Sequence, residues 1–128
     1  YDNAMVLNNY AYFLSLEGRD LERALAMAGR AIVLEENNPT YLDTYAWVLY
    51  RLGRYDEAKK TMQQALSLDR SQSPDLQLHY GDILAALGEK FMAEVYWKKA
   101  LEGGYDDPDA IVERFRRLKE AAQTPAAP

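Results

Sequence analysis

The sequence predicts an all-α fold, a right-handed α-solenoid of three helix-turn-helix hairpins closed by a C-terminal capping helix. Two observations predict it. The segments 7–19 (LNNYAYFLSLEGR), 42–54 (LDTYAWVLYRLGR) and 77–89 (QLHYGDILAALGE) align without gaps, so that Tyr10, Tyr45 and Tyr80 fall 35 residues apart. Leu14, Leu49, Leu84 and Gly18, Gly53, Gly88 keep the same interval. Alanines seven apart then recur as Ala24/Ala31, Ala58/Ala65 and Ala93/Ala100, shifted first by 34 and then by 35 residues, which places a one-residue indel in a loop. A fixed period of this length is the signature of stacked supersecondary repeats.

Each unit reads as a pair of helices. In the second, Leu42, Tyr45, Ala46, Leu49 and Leu52 lie on one apolar helical face. Gly53 follows, suited to the left-handed residue that closes a helix. A partner helix opens near Tyr55 and buries Ala58, Met62, Ala65 and Leu66, with Ala46 and Ala58 small enough for close approach. Asn38-Pro39 and Ser73-Pro74 read as N-cap plus first helical position for the next helices. Tyr10, Tyr45 and Tyr80 are expected in the core, with hydroxyls that need partners.

This wording resembles the tetratricopeptide-repeat (TPR) family. A small residue late in the first helix, Gly at the turn and aromatic-Asp-Glu-Ala opening the second helix are matched by Ala46, Gly53 and Tyr55-Asp56-Glu57-Ala58. Ala65-Leu66-Ser67-Leu68-Asp69 matches the family's closing pattern. The other two units match less fully: Leu21-Glu22-Arg23-Ala24 carries one extra residue, and Lys90-Phe91-Met92-Ala93 lacks the turn aromatic in register. Leu7, Leu42 and Gln77 stand where the family usually has Trp. The expected organisation is a single domain over residues 1–122, with repeats at about 4–38, 39–73 and 74–107. A capping helix follows at about 108–122, and a tail or linker at 123–128. In the cap, Ile111, Val112, Phe115 and Leu118 form the apolar stripe, while Arg114, Arg116, Arg117 and Lys119 form a solvated outer face.

Composition narrows the function classes. The chain has 128 residues, 48% of them hydrophobic, and a net charge of −5, so it can bury a core and has no overall electrostatic footprint for nucleic acid. It has no Cys and one His. That removes disulfides, thiolate metal sites and His-His metal pairs within one chain. No metal site and no cofactor are expected, and no apolar run is long enough to enter a membrane directly. His79 reads as a structural histidine, and Asp43 and Asp82 as solvated charges rather than a catalytic carboxylate pair. No signal peptide is visible, and a start at Tyr1 suggests a processed chain or a piece of a longer one. An enzyme is not expected.

A binding surface is better supported. The TPR resemblance implies a concave groove lined by the first helix of each hairpin, holding a peptide or a partner helix. By register its residues are Asn8, Tyr12, Asp43, Trp47, Tyr50, Arg51 and Asp82. In the second repeat the helical spacing alone separates Asp43, Trp47, Tyr50 and Arg51 from the core stripe, and Trp, Tyr and Arg dominate binding energetics. A chaperone-tail carboxylate clamp is not expected, because the clamp positions hold no Lys. The expected function is a non-catalytic adaptor or scaffold module binding a protein partner, with self-association or a structural spacer role as the alternatives. Val6 and Phe13 stand where the equivalent Tyr41/Val48 and Leu76/Ile83 should pack on a preceding repeat, so either upstream repeats cover them, which is the favoured reading, or they form an edge interface. The second repeat also looks like the C-terminal repeats of long bacterial members of the family, some of them envelope lipoproteins. That likeness implies a bacterial adaptor of the cytoplasm or periplasm.

Overall fold

The computed structural model describes residues 3–123. They form seven α-helices: α1 (Ala4–Glu17), α2 (Leu21–Leu34), α3 (Pro39–Arg51), α4 (Tyr55–Leu68), α5 (Pro74–Ala86), α6 (Lys90–Glu102) and α7 (Pro108–Gln123). No strand occurs among the described residues. The fold is the all-α helical-repeat class that the 35-residue period predicts. α7 reaches Gln123, one residue past the expected end of the cap, and the tail from Thr124 onward lies outside the described residues. The chain divides into two compact units between Gln72 and Ser73.

In the first unit α1 pairs with α2 and α3 with α4, and α3 packs on both helices of the first hairpin. The repeated residues do two jobs at each turn. Leu14, Leu49 and Leu84 are buried, and their carbonyls accept from the amides of Arg19, Arg54 and Glu89 at 3.3, 2.9 and 2.9 Å. These bonds run from the residue after the left-handed Gly18, Gly53 or Gly88 (φ 71°, 81° and 82°) back into the last helical turn. The extra residue of the first turn is absorbed by a second left-handed residue, Asp20 at φ 51°.

The core of the first unit gathers Ala11, Leu14, Ala24, Ala28 and Val48, bordered by Leu25, Met27, Tyr45 and Leu52. Ala46, Ala58 and Ala65 are also fully buried, so small residues set the helix separation. Asn38 caps α3 as expected, its side chain accepting from the amides of Thr40 (3.0 Å) and Tyr41 (3.2 Å). Ser73 holds the cap position of α5, but its side chain makes no capping bond.

The second unit pairs α5 with α6 and sets α7 against α6. Every residue from Leu76 to Leu84 is buried. Trp97 is core, as expected, 4% exposed, with its ring edge-on to Phe115 of α7 at 5.7 Å. Asp107 caps α7, its Oδ1 accepting from the Ala110 amide at 3.3 Å.

Three packing expectations need correction. Tyr10 is 41% exposed although Tyr80 is buried and Tyr45 half-buried, because no described helix precedes α1 to cover it. Val112 is 56% exposed: Ile111, Phe115 and Leu118, spaced four and three, form the inward stripe, and Val112 lies one residue round the helix from Ile111. Arg114 is not part of a solvated outer face but turns inward onto Asp82.

Candidate functional site

The predicted groove residues of the first unit lie on two helices that pack together, Asn8 and Tyr12 on α1 and Asp43, Trp47, Tyr50 and Arg51 on α3. One long-range bond fixes the pair: Arg51 donates from Nε to the Ser15 carbonyl at 2.9 Å. Ser15 lies in the last turn of α1, where carbonyls lack helical partners and the helix dipole favours a cation. Arg51 therefore closes the end of α1. Tyr12 and Trp47 stand about one turn back along each helix from that bond.

Trp47 and Tyr50 are stacked, with ring centroids 4.6 Å apart and planes 18° apart. Tyr50 in turn meets Tyr55 at the start of α4, at 5.6 Å. All three rings are half-buried, as is Tyr12, so each keeps part of its face toward solvent. By sequence, Tyr55 reads only as the aromatic of the turn. Its position five residues after Tyr50, across the Gly53 turn, was the available signal that it extends the aromatic run.

The polar residues are more deeply set than expected. Asn8 is 6% exposed and Asp43 7%. The Asn8 amide donates weakly to Asn9 Oδ1 at 3.4 Å, while Asn8 Oδ1 is buried with no hydrogen-bond partner among the described residues. An unpaired buried acceptor carries a desolvation cost of about 1–3 kcal/mol, so such atoms call for a donor.

Asp82 belongs to the second unit and is not a solvated charge. It is 8% exposed, takes a forked pair of bonds from Arg114 (Nε to Oδ1 2.7 Å, Nη2 to Oδ2 2.9 Å), and accepts from Trp97 Nε1 at 2.9 Å. Its carboxylate links α5, α6 and α7. His79 is likewise buried.

The basic run of α7 is largely paired within the helix. Arg116 bonds Glu113 and Glu120, and Arg117 Nε lies 3.1 Å from Glu113. The edge residues Val6 and Phe13 are 49% and 47% exposed on α1. Tyr10 joins them, its ring 6.3 Å from Phe13 and under the Arg23 guanidinium at 5.7 Å. Among the described residues no helix is long and apolar enough to cross a membrane, and no cluster of metal-ligating side chains occurs.

Comparison with known proteins agrees with this architecture. Residues 39–71 match the family model of the tetratricopeptide repeat. A TPR repeat-containing protein of Pseudomonas aeruginosa is 31% identical over 81 residues, which are 63% of this chain and 13% of that protein. The chain therefore matches only a small part of that relative's length. The fold is similar to the Yersinia enterocolitica type III secretion translocator chaperone SycD (TM-score 0.77, 18% identity, 97% of each chain). It is also similar to the first TPR of Spaghetti (RPAP3) bound to the HSP90 peptide SRMEEVD (TM-score 0.79, 19% identity, 94% of each chain).

Proposed function

The chain belongs to the tetratricopeptide-repeat family, and from that premise we propose that it is a non-catalytic adaptor or scaffold module that binds a protein partner. The partner's peptide or helix lies against α1 and α3. The observation that carries this reading is the half-buried aromatic run of Trp47, Tyr50 and Tyr55, with Trp47 stacked on Tyr50 and Tyr50 tilted against Tyr55, together with the half-buried Tyr12 of α1. Rigid, partly exposed aromatic rings provide contact area at small entropic cost and dominate the energetics of protein recognition. The unpaired Asn8 acceptor adds polar selectivity, since it suits an N–H donor such as a peptide backbone amide.

The contact set we propose is Asn8, Tyr12, Asp43, Trp47 and Tyr50, extended by Tyr55. Arg51 and Asp82 support the helices, Arg51 through its Nε bond to the Ser15 carbonyl and Asp82 through its bonds from Arg114 and Trp97. The bacterial, cytoplasmic or periplasmic setting is part of the same proposal, on the likeness to the Pseudomonas protein.

A quantitative pull-down from bacterial lysate tests the reading, comparing the native chain with Tyr12→Ala/Trp47→Ala at equal helicity. A protein held by the native chain and lost by the variant, followed by direct titration of that purified protein, supports the aromatic run as the binding site. Equal recovery of every captured protein by both chains sinks it.

A further inference from the structure

The first unit holds a solvent-open cavity of about 290 Å³, lined by Gly29 and Ile32 of α2, Leu42 and Tyr45 of α3, and Thr61 and Gln64 of α4. All six residues belong to that unit, and none is part of the α1–α3 contact set.

The repeat itself shows what this cavity lacks. One period on, Tyr45, Thr61 and Gln64 become Tyr80, Tyr96 and Lys99. There the Tyr96 ring of α6 stands edge-on to Tyr80, with centroids 4.6 Å apart and planes at 84°, and the Lys99 ammonium lies 4.6 Å over the Tyr96 ring. Edge-to-face is a preferred geometry of aromatic pairs. In the first unit the same helix position is Thr61, too short to bring a ring to Tyr45. Its hydroxyl donates to the Glu57 carbonyl at 2.9 Å, which holds the side chain against its own helix. The corresponding residue of α2 is Met27, large enough to pack against the core. Gly29 adds room on the other wall. A methyl group there would lie 3.4 Å from Tyr45 Cε2, so the bare backbone of α2 lets the tyrosine ring rest against it and leaves space toward α4.

We propose that this cavity binds a small neutral aromatic molecule of the phenol class, whose ring takes the place beside Tyr45 that Tyr96 takes beside Tyr80. Ile32, Leu42 and the Tyr45 ring supply apolar surface for the ring. The Tyr45 and Thr61 hydroxyls and the Gln64 amide supply donors and acceptors for one polar substituent. None of the six lining residues is charged, and Gln64 stands where Lys99 faces its ring, so a neutral phenol is preferred to a phenolate or a carboxylate. An apolar cavity of roughly 150 Å³ holds benzene, so this larger one admits a substituted ring.

The test titrates p-cresol, the tyrosine side chain as a free molecule, into the full chain and follows the methyl resonances of Ile32 and Leu42. Saturable shifts at both are expected, with half-saturation at or below about 1 mM, as befits a ligand of this size in an open site. The saturated analogue 4-methylcyclohexanol, which keeps the hydroxyl but has no π face, should bind at least about fivefold more weakly. Thr61→Tyr and Thr61→Met fill the cavity from α4 with the residues that α6 and α2 carry. Each variant that keeps native helicity should weaken p-cresol binding at least about tenfold, and Thr61→Tyr should also raise the Tm of the ligand-free chain. The absence of saturable shifts up to about 10 mM overturns the proposal. So does unchanged p-cresol binding in the filled variants, or a 4-methylcyclohexanol affinity equal to that of p-cresol. N-acetyltyrosinamide binding at least about tenfold more tightly than p-cresol would also overturn it, by assigning the place to a tyrosine of a polypeptide.

Discussion

Arg114 forks onto Asp82 across 32 residues of sequence, with both guanidinium bonds at 2.9 Å or less and the Trp97 indole N–H on the same carboxylate. The carboxylate is almost fully buried, while the Arg114 side chain keeps 29% of its surface exposed. Breaking such a pair from the acidic side strands a partly buried cation and a buried indole donor together. Asp82→Ala should therefore destabilise the second unit by about 2–3 kcal/mol, less than the upper range for fully buried pairs because Arg114 can turn toward water. Replacing both partners, Asp82→Leu with Arg114→Met, should recover much of that loss. Urea denaturation followed by tryptophan fluorescence measures both. A double variant as unstable as Asp82→Ala would mean that the pair contributes more than the mutual satisfaction of two groups.

Gly81 lies in the middle of α5, where glycine is normally unfavourable by about 1 kcal/mol relative to alanine. A methyl group there would come within 2.6 Å of Trp97 Nε1 and 3.2 Å of the Ala93 carbonyl. The Trp97 ring, pinned by Asp82 and Phe115, has no open side to move to. Overpacking of about 2–3 kcal/mol outweighs the propensity gain. Gly81→Ala should thus destabilise by about 1–2 kcal/mol, seen as a lower Tm and altered Trp97 emission. A more stable Gly81→Ala chain would show that α6 can withdraw from α5 without cost.

The two preceding predictions concern features invisible in the sequence, while the frame around them was legible. The leucines and glycines 35 residues apart act within one helical turn, through bonds between near neighbours, so their spacing alone implies their geometry. Ala24, Ala58 and Ala93 were readable for the same reason: a small side chain at a fixed register has one use, close helix approach. The bonds of Arg51 and Arg114 are not legible in the sequence because their partners, Ser15 and Asp82, lie 36 and 32 residues away. An exposed-looking arginine on a helix gives no local hint of a distant carbonyl or carboxylate. Tyr10 failed differently. It has the residue type and register of Tyr80, yet exposure depends on which helix comes before, and periodicity carries no record of that.

Arg51 gives a direct way to separate support from contact on the α1–α3 face. Its bond to the Ser15 carbonyl is charge-assisted, and the Gly18 turn that follows is held in a left-handed conformation beside it. Arg51→Ala should cost about 1–2 kcal/mol and speed amide exchange at Gly18 and Arg19, where the end of α1 would fray. Trp47→Ala should leave that exchange nearly unchanged while weakening partner binding at least about tenfold, as expected for an aromatic anchor. Hydrogen exchange and titration of the purified partner read the two effects independently. If Arg51→Ala leaves the turn as protected as before, its guanidinium contributes nothing to closing α1.

Glu113 supplies a pH dependence with a definite sign. Hydrogen bonds from Arg116, reinforced by Arg117, hold its carboxyl down to about 2, below the ordinary glutamate value of about 4.3. A depressed acid stabilises the folded helix while it is ionised. That contribution is complete above the unfolded-state value and is lost as pH falls from about 4.3 through about 2. The group is solvent-facing and salt screens such pairs, so the effect should be local: fraying of α7 rather than loss of the fold. The side-chain carboxyl resonance of Glu113 should titrate with a midpoint near 2 at low ionic strength and move upward with added salt. Arg116→Gln should raise the midpoint by removing the larger cause, while Arg117→Gln should raise it less. A native midpoint near 4 that neither substitution moves would mean that the Glu113–Arg116–Arg117 cluster does not persist in solution.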